Sequence, residues 1–221
     1  MNKTALITGA SRGIGKACAI KFANEGYHLL TPTRTELDLI DRNSIETYVA
    51  GLAQPVQVLI NNAGINPLGT IGNINYSDAD NLMNINFWAP VILTEMLSAG
   101  MKDERYGRIV NISSIWSGVT KAGRSMYGAS KAAINAFTKT SAVELAPYNI
   151  LVNAVAPGYV NTELTKTNNT PEQIEQIKSH LPVGRLAEPA EIAELIFFLA
   201  SEKNTFVTGQ TIFADGGYSL L

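Results

Sequence analysis

A chain of 221 residues, 46% hydrophobic and 16% charged, is long enough for one packed core, so one α/β domain spanning 1–221 is expected. A formal net charge of −2 with no basic run excludes a nucleic-acid partner held by phosphate attraction. The lone cysteine, Cys18, excludes an internal disulfide framework and fits a reducing compartment.

In chain order, the first predicted strand is Ala5–Thr8, and the turn Thr8-Gly9-Ala10-Ser11-Arg12-Gly13-Ile14-Gly15 leads into a helix over Ile14–Asn24. Three glycines at a strand-to-helix corner let the backbone bend tightly, and the helix N-terminus offers N–H donors and partial positive charge to a pyrophosphate. The spacing is G-x-x-x-G-x-G rather than G-x-G-x-x-G, but the position after the first strand of an alternating chain suits a dinucleotide. Cys18 falls inside this helix and reads as a small buried apolar residue.

The second predicted strand, Tyr27–Pro32, must end near Pro32, which cannot donate to a central ladder. Acids near this strand end accept from a ribose 2′-hydroxyl, whereas arginine accommodates a 2′-phosphate. Here the segment runs Thr31-Pro32-Thr33-Arg34 with no acid before Glu36, and Arg12 is a second cation nearby. The pattern favours NADP(H) over NAD(H). Only Thr35, Glu36 and Leu37 separate Arg34 from Asp38-Leu39, leaving no room for a crossover helix of about ten residues. The connection there is expected to be a turn, or the third strand vestigial.

Further on come a helix over Ser44–Leu52, a strand Val56–Ile60, and the turn Asn61-Asn62-Ala63-Gly64, whose residues tolerate left-handed conformation. A long helix over Asp80–Ala99 carries Asn86, a residue whose side chain competes for backbone hydrogen bonds inside a helix. The strand Arg108–Ile112 ends just before Ser114, at the carboxyl edge where open α/β sheets bind ligands. There the Ser114 hydroxyl can donate to a substrate oxygen and stabilise charge developing on it.

The helix Tyr127–Leu145 opens with Tyr127 and Lys131, four apart and therefore on one face. A free tyrosine titrates near ~10. A neighbouring ammonium is expected to favour the phenolate, which suits the pair to general acid/base work. A strand Ile150–Ala156, the loop Pro157-Gly158-Tyr159-Val160-Asn161-Thr162, helices Pro171–His180 and Pro189–Leu199, and a strand Thr211–Phe213 complete the chain. Alternating strands and helices imply a doubly wound parallel sheet of Rossmann type, about six or seven strands with right-handed crossovers. His28 and His180 are isolated, so no metal is expected. The N-terminal apolar run is too short for a signal peptide and no stretch reaches the ~20 apolar residues of a membrane span, so a cytoplasmic protein without a membrane partner is expected.

With these motifs in this order, the chain resembles the short-chain dehydrogenase/reductase family over nearly its whole length. The features are the Thr8–Gly15 loop, Asn61–Gly64, Asn86, Ser114 with Tyr127-x-x-x-Lys131, Pro157-Gly158-x-x-x-Thr162, and Asp215-Gly216-Gly217. Pro182-Val183-Gly184-Arg185 and Phe198-Leu199-Ala200-Ser201 are most similar to the 3-oxoacyl-acyl-carrier-protein reductase group. The short segment after Arg34 departs from the family pattern.

The resemblance implies hydride transfer between a nicotinamide cofactor and an alcohol/carbonyl pair. The family's spacing of thirteen residues to the tyrosine selects Ser114 over Ser113. It implies Tyr127 as acid/base, Lys131 on the nicotinamide ribose, and Asn86 as a helix kink holding a water that links Lys131 to solvent. Cofactor contacts carried over are Gly9, Ser11, Arg12, Gly13, Ile14 and Gly15 at the phosphates, Arg34, Asp38 and Leu39 at the adenosine, and Asn61, Ala63 and Gly64 along the ribose. Pro157, Gly158, Val160 and Thr162 would line the nicotinamide, beside Tyr127 and Lys131.

A 3-oxoacyl thioester is the implied substrate class, and other small carbonyl compounds remain open. The polar lid candidate Glu163–Leu181 carries no recognisable specificity. A nucleotide-sugar epimerase or dehydratase on the same fold needs a larger C-terminal region than the roughly sixty residues after Pro157. A non-catalytic NADP-binding regulatory protein would not need the complete Ser114–Tyr127–Lys131 set.

Two helices carry apolar residues on more than one face: Leu82, Ile85, Trp88, Val91, Ile92 and Leu97 on one, Ile134, Ala136, Phe137, Ala142 and Val143 on the other. Such helices usually have a second partner, and with the resemblance this predicts a homodimer or homotetramer.

Overall fold

The computed structural model describes residues 3–221. Strands β1 (Thr4–Ile7), β2 (His28–Leu30), β3 (Val58–Asn61), β4 (Gly107–Ile112), β5 (Ile150–Pro157) and β6 (Thr211–Ala214) form a six-stranded parallel sheet in the order β2-β1-β3-β4-β5-β6. The helices are α1 (Gly13–Asn24), α2 (Arg42–Ala50), α3 (Tyr76–Met83), α4 (Ala89–Asp103), α5 (Ser125–Leu145), α6 (Glu163–Thr167), α7 (Pro171–His180) and α8 (Pro189–Ala200). β1 pairs with β2 on one side and β3 on the other. The crossovers therefore diverge at that point and leave a crevice outside the carboxyl ends of the strands.

The strands are buried along their whole lengths in β1, β3, β4 and β5, as apolar runs of a covered parallel sheet require. Side chains alternate between two cores. Ala5, Ile7, Val58 and Ile60 pack with Cys18 and Phe22 of α1 and Ile196 and Phe197 of α8. Leu6, Leu59, Ile109 and Val152 pack instead with Ile45 of α2, Leu93 and Met101 of α4, and Leu145 of α5. Phe22 meets Phe197 edge to face at 5.1 Å, and burying one such ring contributes roughly 1.5–3 kcal/mol. Burial pushes the Cys18 thiol up to about 12, so it serves as packing and not as a nucleophile.

The segment after Arg34 takes the first of the two forms expected for it. Thr33–Leu37 is a turn, with the Thr33 carbonyl accepting from Glu36 N at 3.2 Å and Leu37 N at 3.0 Å. Yet no strand forms at Asp38-Leu39. The chain passes into α2, capped by Asp41 accepting from Asn43 N at 2.9 Å, and this helix is the crossover to a full β3. The vestigial-strand alternative is not realised, and the sheet keeps six strands with β2 and β6 at its edges. β2 is also shorter than expected, ending before Pro32.

The helix expected over Asp80–Ala99 runs from Tyr76 to Asp103 and contains a π turn at Asn84–Trp88. Asn86 is at its centre and buried. Such single π turns mark functional sites in many helices.

Candidate active site

The glycine turn after β1 has Gly9 at φ +66° and Gly13 at φ +54°, the left-handed region that favours glycine. A Cβ on Gly15 would lie 2.2 Å from the Gly9 carbonyl oxygen, so Gly15 lets α1 close onto its own loop instead of contacting a ligand itself. Gly15 is absent from the cleft wall, while Gly9, Ser11, Arg12, Gly13 and Ile14 line it.

The turn after β3 is latched to this loop. Asn62 Nδ2 donates to the carbonyls of Thr8 (2.9 Å) and Gly9 (3.0 Å), and the Thr8 hydroxyl accepts from Asn62 N and Ala63 N, both at 3.0 Å. Ala63 and Gly64 line the cleft; Asn61 does not. Asn61 has the strand parity of Leu59, so its side chain turns toward α5, donating to Asn111 Oδ1 at 2.8 Å. Asn111 in turn donates to Thr138 Oγ1 at 2.9 Å. Asn62, which sequence reasoning left out of the site, is the asparagine that shapes it. The doubled Asn was the available signal.

At the far end of the cleft Arg34, Asp38 and Leu39 line the wall with Thr31, Pro32 and Thr33. Glu36, the nearest acid, is folded back on its own turn. It accepts from Thr33 N at 2.7 Å and Thr33 Oγ1 at 2.8 Å, which holds its carboxyl below the usual range. Arg12 reaches across the loop to Glu163 at 3.4 Å, with both side chains well exposed.

The other end gathers the four expected catalytic residues. Ser113 donates to the Lys131 carbonyl at 3.3 Å and is tied into the scaffold, whereas Ser114 Oγ accepts from Trp116 N at 3.3 Å and neighbours the Tyr127 phenol. Asn86 Oδ1 accepts from Ile65 N, and its Nδ2 donates to Ile65 O, each at 2.9 Å, with a further bond to Ser130 Oγ at 3.3 Å. A Cβ on Gly64 would sit 3.2 Å from Asn86 Oδ1 and 3.6 Å from Lys131 Nζ, so both groups meet at that glycine. Pro157, Gly158, Val160 and Thr162 form the adjoining wall. Gly158 is pressed against Asp215, whose carboxylate accepts from Gly217 N and Ser219 N at 3.0 and 2.9 Å. The whole cleft encloses about 780 Å³, within the range of pockets that bury small molecules.

The charges differ from the sequence expectation in one respect. Lys131 donates to the Ile112 carbonyl at 2.7 Å, and its Nζ lies 5.7 Å from the Tyr127 ring centre. Burial lowers its pKa to about 8. Burial also raises the Tyr127 phenol, against smaller downward pulls from the Ser114 hydroxyl and the Arg124 guanidinium. In the protein alone desolvation therefore outweighs the pulls of Ser114 and Arg124, and the phenolate is not favoured.

The cleft thus joins a glycine-rich turn to a serine, tyrosine and lysine at the carboxyl edge of one parallel sheet. The family description "Enoyl-(Acyl carrier protein) reductase" matches residues 31–219, and "short chain dehydrogenase" matches residues 3–40. The chain belongs to the short-chain dehydrogenase/reductase family. Like other members it is an oxidoreductase that interconverts C=O and CH–OH with a nicotinamide cofactor.

Among curated family members, 3-oxoacyl-(acyl-carrier-protein) reductase FabG of Thermotoga maritima is 38% identical over 240 residues, covering 97% of each chain. The aligned length exceeds the 221 residues here, so that relative carries residues this chain lacks. Among solved family structures, "4-hydroxyisoleucine dehydrogenase complexed with NADH" superposes with a TM-score of 0.94 at 28% identity over 100% of both chains. "ElxO with NADP Bound" superposes at 0.90 with 30% identity, again over 100% of both. These relatives do not favour an epimerase, a dehydratase or a binding protein without turnover. Among the described residues no helix is long and apolar enough to cross a membrane, and no cluster of acids, histidines and cysteine could hold a metal.

Proposed function

We propose that the protein reduces a carbonyl substrate with NADPH. The carrying observation is that one continuous cleft has Arg34 and the glycine turn at one end and Ser114, Tyr127 and Lys131 at the other, with Asn86 just behind its wall against Gly64 and Ile65. The residues fit a dinucleotide: Gly9 and Gly13 hold the left-handed turn, and the Glu36 carboxylate, bonded to Thr33, is withdrawn from a 2′-phosphate. Gly9, Ser11, Arg12, Gly13 and Ile14 would hold the phosphates. Arg34 would take the 2′-phosphate, Asp38 and Leu39 the adenine, Ala63 and Gly64 the ribose, and Pro157, Gly158, Val160 and Thr162 the nicotinamide.

When bound, the cofactor supplies hydride to the carbonyl carbon. Ser114 Oγ donates a hydrogen bond to the carbonyl oxygen and orients it, and Tyr127 Oη delivers the proton that oxygen needs. Lys131 Nζ spends one donor on Ile112 and has two left for ribose hydroxyls. Its charge would favour the phenolate left on Tyr127 once the proton has been delivered, as would an oxidised nicotinamide. The Asn86 side chain is fully engaged with Ile65 and Ser130. Pro90 lacks the N–H that would close a helical bond onto the Asn86 carbonyl, so this oxygen is the acceptor we assign to the relay water.

A 3-oxoacyl thioester is the substrate class that the FabG relative's name supports, and small carbonyl compounds are the other. A homodimer or homotetramer formed through α4 and α5 is part of the same reading. Trp88, at the end of the π turn that leads into α4, is 52% exposed and Val143 of α5 76%, and Phe87 bridges Trp88 and Phe137 at 5.1 and 6.4 Å. NADPH oxidation against a panel of 3-oxoacyl thioesters and small ketones tests the reading. Turnover with at least one class is expected; tight NADPH binding with no turnover on any would overturn it.

A further inference from the structure

We propose that Arg124 recognises a carboxylate on the substrate, a few bonds from the carbonyl that is reduced. The proposal rests on the reductase reading above and adds to it a substrate class.

Arg124 is the residue before α5, one turn ahead of Tyr127, and its carbonyl accepts from Gly128 N at 2.8 Å. Its backbone is fixed from the other side too: Gly69 bridges to Arg124, with Gly69 N donating to the Gly123 carbonyl at 3.1 Å. The guanidinium lies over the Trp116 ring at 4.9 Å from its centre. Trp116 is the residue whose N–H donates to Ser114 Oγ. Beyond it Trp116 meets Tyr159 and Tyr218 edge to face at 6.2 and 6.4 Å, forming an aromatic wall that continues from the serine. The cation is thus mounted on the wall that also positions Ser114.

Its charge is uncompensated. Arg12 has Glu163, and Arg185 has Glu191 at 2.7 Å, but Arg124 has no carboxylate partner among the described residues. Stacking on an aromatic face leaves the edge donors of a guanidinium free for a planar bidentate acceptor. Arg124 is not itself part of the cleft wall, but its charge is close enough to act on the phenols of Tyr127 and Tyr159, pulling both down against the burial that raises them.

Geometry limits where the anion sits. Arg124 precedes Tyr127 by three residues and its guanidinium sits on Trp116, whose N–H holds Ser114 Oγ, so an anion on Arg124 would lie within a short substrate's length of an oxygen held at Ser114 and Tyr127. The phosphates of a pantetheine-type carrier are too far along their arm to reach it from a reacting 3-oxo group. The carboxylate belongs either to a free oxo acid or to the acyl end of a 3-oxoacyl thioester.

The test measures kcat/KM with NADPH for two matched pairs. One is 4-oxopentanoate against its methyl ester; the other is the N-acetylcysteamine thioester of 3-oxoglutarate against that of 3-oxobutyrate. Wild type should favour the carboxylate member of one pair by about ten- to a hundredfold, the range of charge-assisted hydrogen bonds, and the responding pair identifies the source. Arg124→Gln should bring that ratio close to one, and Arg124→Lys should restore part of it. A wild-type ratio near one in both pairs, or a ratio unchanged in Arg124→Gln, overturns the proposal. Reduction of the neutral members would then leave the reductase reading standing. A second measurement needs no turnover: glutarate titrated calorimetrically into the NADP⁺-saturated protein should bind about tenfold more weakly to Arg124→Gln. No binding to wild type, or equal affinity in the two proteins, likewise overturns the proposal.

Discussion

Asn86 holds both main-chain polar groups of Ile65 with one side chain, accepting from its N–H and donating to its carbonyl, each at 2.9 Å. This pair ties the π turn of the long helix to the strap that follows β3, so helix geometry and cleft wall depend on each other. Asn86→Ala should lower the free energy of unfolding by about 2–3 kcal/mol, because two enclosed backbone groups lose their partners. Urea denaturation measures it; a loss below about 0.5 kcal/mol would mean that water replaces the amide without penalty.

Lys131 gives a pH signature. Its pKa is lowered from 10.5 to about 8, so between those values the unfolded chain binds a proton that the folded chain has released. Stability from this group is therefore fully present above 10.5 and is lost as pH falls through 8. Relative to Lys131→Met, the cofactor-free wild type should gain up to about 3 kcal/mol from pH 7 to pH 10.5. Parallel stability curves for the two proteins would remove burial as the controlling effect.

Tyr127→Phe should reduce turnover at least about a hundredfold while NADPH still binds, since only the proton donor is removed. The comparison needs steady-state rates and a cofactor titration on the same preparation. Near wild-type turnover would place the proton elsewhere.

Cofactor choice should follow Arg34. NADPH should bind more tightly than NADH, with each charge-assisted bond to the 2′-phosphate contributing about 1.5–3 kcal/mol. Arg34→Asp should shrink or reverse the preference. Equal wild-type dissociation constants for the two cofactors would defeat the assignment.

Light scattering at micromolar concentration should report at least a dimer, given the exposed Trp88 and Val143. Trp88→Glu should shift the protein toward smaller species by placing a charge in an apolar contact. An active 23.8 kDa monomer would show that these side chains tolerate water.

Much of this protein is written in local sequence. Strand runs, helical period, left-handed glycines and the four-residue spacing of Tyr127 and Lys131 act within one or two turns of chain, so the sheet, the glycine turn and the helix carrying Tyr127 and Lys131 were legible without coordinates. Ser114 was legible as well, because a strand end locates its own loop. Other features belong to contacts between distant segments. Asn61 and Asn62 look alike in sequence, yet strand parity in the assembled sheet turns one toward α5 and lets the other latch the glycine turn. Gly15 reads as a ligand contact until Gly9 is seen 2.2 Å from its missing Cβ. The short run after Arg34 left the crossover ambiguous until α2 was placed against α4 and β3. The direction of the Tyr127 shift was set by burial, a property of the packed whole: the i, i+4 spacing announces an ammonium near a phenol, but only tertiary structure sets how much solvent both lose.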